Sequence, residues 1–190
     1  GNVLTFYDNV VSIGNQAFSY CTSFSGSIYF GTSVEIIDDY AFDHCEKIAN
    51  IYFASYESKR HNSTWNYNES LKTIDYSAFS YCKALKFVVL PNSLEELDTY
   101  AFAYNTSLEY VIIGRDFSSD SKLKIINYGA FYNDTALELI VIPKSLTGIA
   151  SSVFDGCTSL YDVCYTGSVA EYADITIAGG NLKFTNDDTR

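Results

Sequence analysis

The chain has 190 residues, room for one domain or a string of small repeats, and with 47% hydrophobic and 18% charged residues it is a folding composition. Its net charge of −11 argues against nucleic acid or anionic lipid as partner, and two histidines with no methionine leave few ligands for a transition-metal enzyme. No apolar run of about eighteen residues occurs, so no membrane insertion is expected, and no charged-then-apolar leader opens the chain.

From the N-terminus, Leu4 and Phe6 align with Ile28 and Phe30 of the next unit, so the chain begins inside a repeat. Gly1 reads as an expression-vector remnant, and the uncapped first strand as part of a longer array or of a chain whose N-terminal cap is missing. The pair Ala-Phe then recurs at Ala17-Phe18, Ala41-Phe42, Ala78-Phe79, Ala101-Phe102 and Ala130-Phe131, with Val153-Phe154 as a sixth variant. A period of about 23, with insertions of 14 and 6 residues, accounts for the two large gaps between the phenylalanines. An aliphatic anchor stands five residues before each Phe: Ile13, Ile37, Ile74, Leu97, Ile126 and Ile149. Three residues after it come Cys21, Cys45, Cys82, Asn105, Asp134 and Cys157.

Each frame continues into an apolar-x-apolar triplet, which predicts short strands at 4–6, 28–30, 51–53, 88–90, 111–113, 140–142 and 163–165. Pro91, Pro143, Gly31 and Gly114 stop four of them. The Ala-Phe segments read as short helical corners with Phe inward. One unit cannot bury its apolar face alone, so the units stack. The expected fold is an α/β, right-handed solenoid with one parallel strand per repeat. A repeat array covers 1–165, a partial first repeat plus six, with insertions near 56–69 and 115–121; 166–190 reads as a C-terminal cap and tail.

The frame at 74–97 (Ile74, Ala78-Phe79, Cys82, Leu85, Val88, Leu90-Pro91, Ser93-Leu94, Leu97) closely resembles the BspA-like leucine-rich-repeat family of surface proteins. The resemblance extends over about 2–177. It implies a leucine-rich-repeat solenoid, location at the cell surface or outside the cell, adhesion or protein binding, no cofactor and no enzymatic activity.

Alternation places Ser27/Tyr29, Asn50/Tyr52, Phe87/Val89, Tyr110/Ile112, Leu139/Val141 and Asp162/Cys164 on the strand face away from the core. The centre of this concave face is thus apolar. The expected ligand contacts are Tyr29, Tyr52, Phe87, Val89, Tyr110, Ile112, Leu139 and Val141, with a protein or glycan as ligand and Tyr110 as anchor. A stalk that carries another domain is the alternative role.

Cys21, Cys45, Cys82 and Cys157 share one register without the close pairs a zinc site needs, and are expected to be buried thiols, with Cys164 partly accessible. Neighbours such as His44 and Cys45 point apart, which leaves no catalytic pair. Asp38, Asp75, Asp98 and Asn127 follow the anchors and are expected to cap the corners; a carboxylate row for calcium is the competing reading. The insertion Tyr56–Glu69 holds the only Trp, Trp65, and is a second candidate for function. Asn62, Asn68, Asn105 and Asn133 head glycosylation patterns.

Overall fold

The computed structural model describes residues 2–55, 65–115 and 121–181. Residues 56–64 of the first insertion, 116–120 of the second and the tail from 182 lie outside them. The described chain is a solenoid of parallel strands. Its long strands are β1 (Asn2–Thr5), β3 (Gly26–Tyr29), β5 (Ile48–Tyr52), β7 (Phe87–Leu90), β9 (Tyr110–Ile113), β11 (Leu139–Ile142) and β13 (Asp162–Tyr165). Between them run short strands: β2 (Ser12–Ile13), β4 (Ile36–Ile37), β6 (Thr73–Ile74), β8 (Glu96–Leu97), β10 (Ile125–Ile126), β12 (Gly148–Ile149) and finally β14 (Thr176–Ile177). Among the described residues a single helix, α1 (Val169–Ala173), carries a Ser168–Glu171 capping box.

Two expectations need correction. The repeat contributes two strands, not one: the anchor aliphatic and the residue before it pair with their counterparts in the adjacent coils, giving a seven-stranded second sheet from β2 to β14. The Ala-Phe corners are also not helical. Residues two before and two after the phenylalanine, such as Tyr40 and His44 around Phe42 or Tyr100 and Tyr104 around Phe102, have φ near +60°. A helix cannot pass through such a residue. Alternate N–H groups instead cross between coils, as from Tyr40, Phe42 and His44 to the carbonyls of Tyr76, Ala78 and Ser80 at 2.8–3.0 Å. Those between, on Ala41, Asp43 and Cys45, close turns within the coil. The corner is therefore a stack of turns, and its backbone groups are satisfied by the neighbouring coil.

The core follows the period. Phe42, Phe79, Phe102 and Phe131 are fully buried and stack ring on ring at 5.1–5.9 Å, with Phe154 nearly as deep and Phe18 half-buried at the first coil. Each fully buried ring contributes about 1.5–3 kcal/mol by removal from water. Cys45, Cys82 and Cys157 are buried as expected, but Cys21 is exposed. Cys45 donates to the Phe18 carbonyl of the preceding coil at 3.0 Å.

The long strands do not form one sheet. β1, β3 and β5 make a three-stranded sheet, and β7, β9, β11 and β13 a four-stranded one. The division falls where the first insertion leaves the array.

Candidate binding face

On the four-stranded sheet the register sets two outward rows. Phe87, Tyr110, Leu139 and Asp162 lie side by side in one, and Val89, Ile112, Val141 and Cys164 in the other. Phe87 is 37% exposed and Tyr110 42% exposed; Val89, Ile112 and Leu139 are half-buried. Val141 does not reach solvent. At 2% exposure it is wedged between Ile112 and Cys164 on a central strand, where a short β-branched side chain is covered by its neighbours.

Tyr29 is a second correction, since it is fully buried. Its ring lies against Tyr52 at 4.6 Å, and Tyr52 is in turn stacked at 6.0 Å under Trp65, where the first insertion returns. Tyr52 remains half-buried and touches Phe87 edge-on at 6.3 Å across the break between the sheets. The structure thus brings together Tyr52, Phe87, Val89, Tyr110, Ile112 and Leu139, and withdraws Tyr29 and Val141.

The acidic frame around Tyr110 was not anticipated. Its hydroxyl donates to Glu138 at 3.2 Å, and the strongly exposed Tyr161 donates to the same carboxylate at 3.4 Å. The Glu138 charge raises both phenol pKa values above the ordinary range. Tyr161 escaped notice because it stands just before its triplet, outside the alternation.

Other aromatics serve the scaffold. Tyr20, His44, Tyr81 and Tyr104 form a face-to-face ladder along the corners at 4.2–4.5 Å. Tyr40, Tyr76, Tyr100 and Tyr128 form a second, edge-to-face row; Tyr100 is pushed up to about 12, first by its hydrogen bond with Tyr128. His44 is therefore a rung, and burial pushes the adjoining Cys45 thiol up to about 12. Such a thiol holds almost no thiolate at neutral pH.

The carboxylates after the anchors act on turns rather than helices. Asp38 and Asp98 accept from the N–H groups of Asp39 and Thr99 at 2.7 and 2.6 Å, and Asp39 accepts from Tyr76 at 3.1 Å. Asp38, Asp39 and Asp75 bring one oxygen each within 4.8 Å of the others, while Asp98 does not join that group. Burial raises the Asp75 carboxyl pKa. Two glycosylation patterns are closed in the folded chain, because Asn68 and Asn105 are fully buried.

The family model for the BspA-type leucine-rich-repeat region matches in six copies, over 2–118 and 55–183. The chain belongs to the BspA-type leucine-rich-repeat family. A leucine-rich-repeat protein from T. pallidum has the same fold, with a TM-score of 0.70 at 24% identity over 85% of this chain and 68% of that one. A leucine-rich-repeat protein from Bacteroides ovatus aligns at 22% identity and TM-score 0.45, over 93% of this chain and 59% of its own. A leucine-rich cell surface protein from Faecalibacterium prausnitzii aligns at 22% and 0.37, over 92% and 62%. The chain thus spans about three fifths of the latter two. No curated protein matches it. In this BspA-type array the repeating frame accounts for core and corner, and the outward rows hold the exposed Phe87 and Tyr110. Among the described residues no helix is long and apolar enough to cross a membrane.

Proposed function

We propose that this chain is a non-catalytic recognition module, located at the cell surface or outside the cell, that binds protein or glycan through its four-stranded face. Membership of a repeat family supports a binding or scaffold role in general. The observation that carries the finer reading is the exposure of Phe87 and Tyr110 beside Val89, Ile112 and Leu139. These positions face away from the core, where Thr, Lys or Glu would cost no packing. A contiguous apolar strip in water is an aggregation liability that a partner offsets. Tyr110 is the anchor, central in its row and carrying both a ring and a hydroxyl.

The test is the double variant Tyr110→Ser, Ile112→Ser, assayed against immobilised extracellular-matrix proteins and a glycan array. Its circular dichroism should match the parent, since neither side chain belongs to the core. Affinity for any ligand the parent retains should fall by about thirtyfold, the equivalent of about 2 kcal/mol. Unchanged affinity would place the contact elsewhere, and no binding by the parent would favour the stalk.

A further inference from the structure

We infer a second site, adjoining the Tyr110 row at Phe87 but centred on Trp65 and Arg115, that takes a neutral sugar at the break between the two long-strand sheets. The break is held open by built features. Where the first insertion returns, Tyr67 bridges antiparallel to Ala54, and the buried Asn68 donates to the Val34 carbonyl at 3.0 Å. The Asn68 carboxamide oxygen also accepts from the N–H groups of Ser70 and Leu71 at 2.8 Å. Across the end of β7, Gly114 turns the chain at φ +92°, and the next N–H, on Arg115, donates to Asn92 at 3.0 Å. Arg115 then reaches Glu69 at 2.6 Å and lies 4.6 Å from the Tyr67 ring centre.

Two cavities adjoin there, with Arg115 in the wall of both. One, of about 270 Å³, is aromatic, lined by Tyr52, Trp65, Tyr67 and Phe87. The other, of about 450 Å³, is polar, lined by Glu69, Asn92, Ser93 and Lys122. Ser93 points to a ligand. It is 6% exposed, and its buried hydroxyl has no hydrogen-bond partner. At the same frame position two coils on, Ser145 donates to the Leu123 carbonyl at 2.8 Å. A buried hydroxyl without a partner is costly, and a ligand oxygen in the polar cavity removes that cost.

A pyranose fits this pair of surfaces. Its C–H faces stack on indole and phenol rings, and its rim of hydroxyls can both donate and accept. Glu69 accepts, Arg115 and Lys122 donate, and Ser93 does either. A wholly apolar side chain would leave the Ser93 hydroxyl unanswered. An anionic ligand would face Glu69, and both cations already have carboxylate partners, with Lys122 3.5 Å from Glu95. A neutral glycan meets neither objection.

Trp65 is the only tryptophan in the chain, so its emission reports directly on stacking. The intact chain is screened on an array of neutral and acidic glycans. The best neutral hits, and cello-, malto-, xylo- and mannohexaose, are then titrated by fluorescence and calorimetry. A saturable change in Trp65 emission is expected for at least one of them. Arg115→Ala should weaken that sugar by at least about tenfold, Trp65→Ala should abolish its calorimetric signal, and Tyr110→Ser, Ile112→Ser should leave it unchanged. The proposal is overturned if no neutral glycan binds, if acidic glycans bind in preference, or if Arg115→Ala retains full affinity. It is also overturned if the Tyr110 double variant loses the sugar, which would make the two sites one.

Discussion

The Asp134 carboxylate accepts the backbone N–H of Asn105, in the adjacent coil, at 2.7 Å, and neither side chain reaches water. Both stand in a register that elsewhere holds cysteine. Cys45, Cys82 and Cys157 each donate a thiol hydrogen to a phenylalanine carbonyl of the preceding coil, at 3.0, 3.3 and 3.0 Å. Asn105 serves the same purpose with its amide, donating to the carbonyls of Phe79 and Phe102. Asp134 does this job worst: like the Asn105 carboxamide oxygen, its second oxygen is buried without a partner, but its carboxyl is also ionisable, and burial pushes it well above the usual range.

The pH dependence follows from that direction. Folded Asp134 keeps its proton at pH values where the unfolded chain has released it. Its contribution is therefore most favourable below the unfolded value near 3.8, and stability is lost as pH rises from there toward the folded value. Asp134→Asn should match the parent near pH 3 and melt higher at pH 7. Melting curves recorded from pH 3 to 8 check this, and parallel profiles for the two chains would contradict it.

Position along the phenylalanine stack should set the cost of truncation. Phe102 lies between Phe79 and Phe131 at 5.1 and 5.9 Å and is fully buried, so Phe102→Ala should cost about 3–5 kcal/mol in urea unfolding. Phe18 is half-buried and has one such neighbour, Phe42, along the stack. Phe18→Ala should cost clearly less. Equal losses would show that the first coil is packed as tightly as the middle.

The stack and the long strands were legible in the sequence because a fixed period places Phe and the triplets in register whatever the corners do. The corners were not, because Tyr40, His44, Tyr81 and Tyr104 take left-handed backbone without the glycine that would announce it. Alternation told which face Tyr29 and Val141 share but not what lies over them, and both are covered by neighbours. The cavity wall was half legible. Both insertions follow a triplet, so stacking must bring their ends to one side, and Glu69 and Arg115 do meet there. The missing partner of Ser93 depends on where the first insertion returns, which no local pattern encodes.

That return rests on Asn68. Its side chain makes three hydrogen bonds in a fully buried place, so Asn68→Ala would strip the Val34 carbonyl and two N–H groups of partners. A loss of about 3 kcal/mol is expected, allowing about 1 kcal/mol for each bond. Asn68→Asp should also destabilise, since an ionised carboxylate cannot donate to Val34. Chemical denaturation of both variants checks the cost. A loss below about 0.5 kcal/mol for Asn68→Ala would show that the insertion is held by other contacts.

The cysteines divide by accessibility rather than by register. Cys21 and Cys164 are exposed, whereas Cys45, Cys82 and Cys157 lie in the core, and no disulfide joins any of the five. Burial pushes Cys45 up to about 12 and Cys82 well above the ordinary thiol range, which suppresses the thiolate that reacts with disulfide reagents. Cys164 is raised too, by partial burial and then the nearby Asp162 charge, but like Cys21 it is exposed. A colorimetric thiol titration of the native chain at pH 8 should therefore show two accessible groups. The remaining three should appear only on unfolding, for a total of five under denaturing, non-reducing conditions. Rapid native labelling of a third thiol would mean that the corner stack opens on the timescale of the reaction. A denatured total of three would reveal a bridge that the separate burial of these sulfurs does not predict.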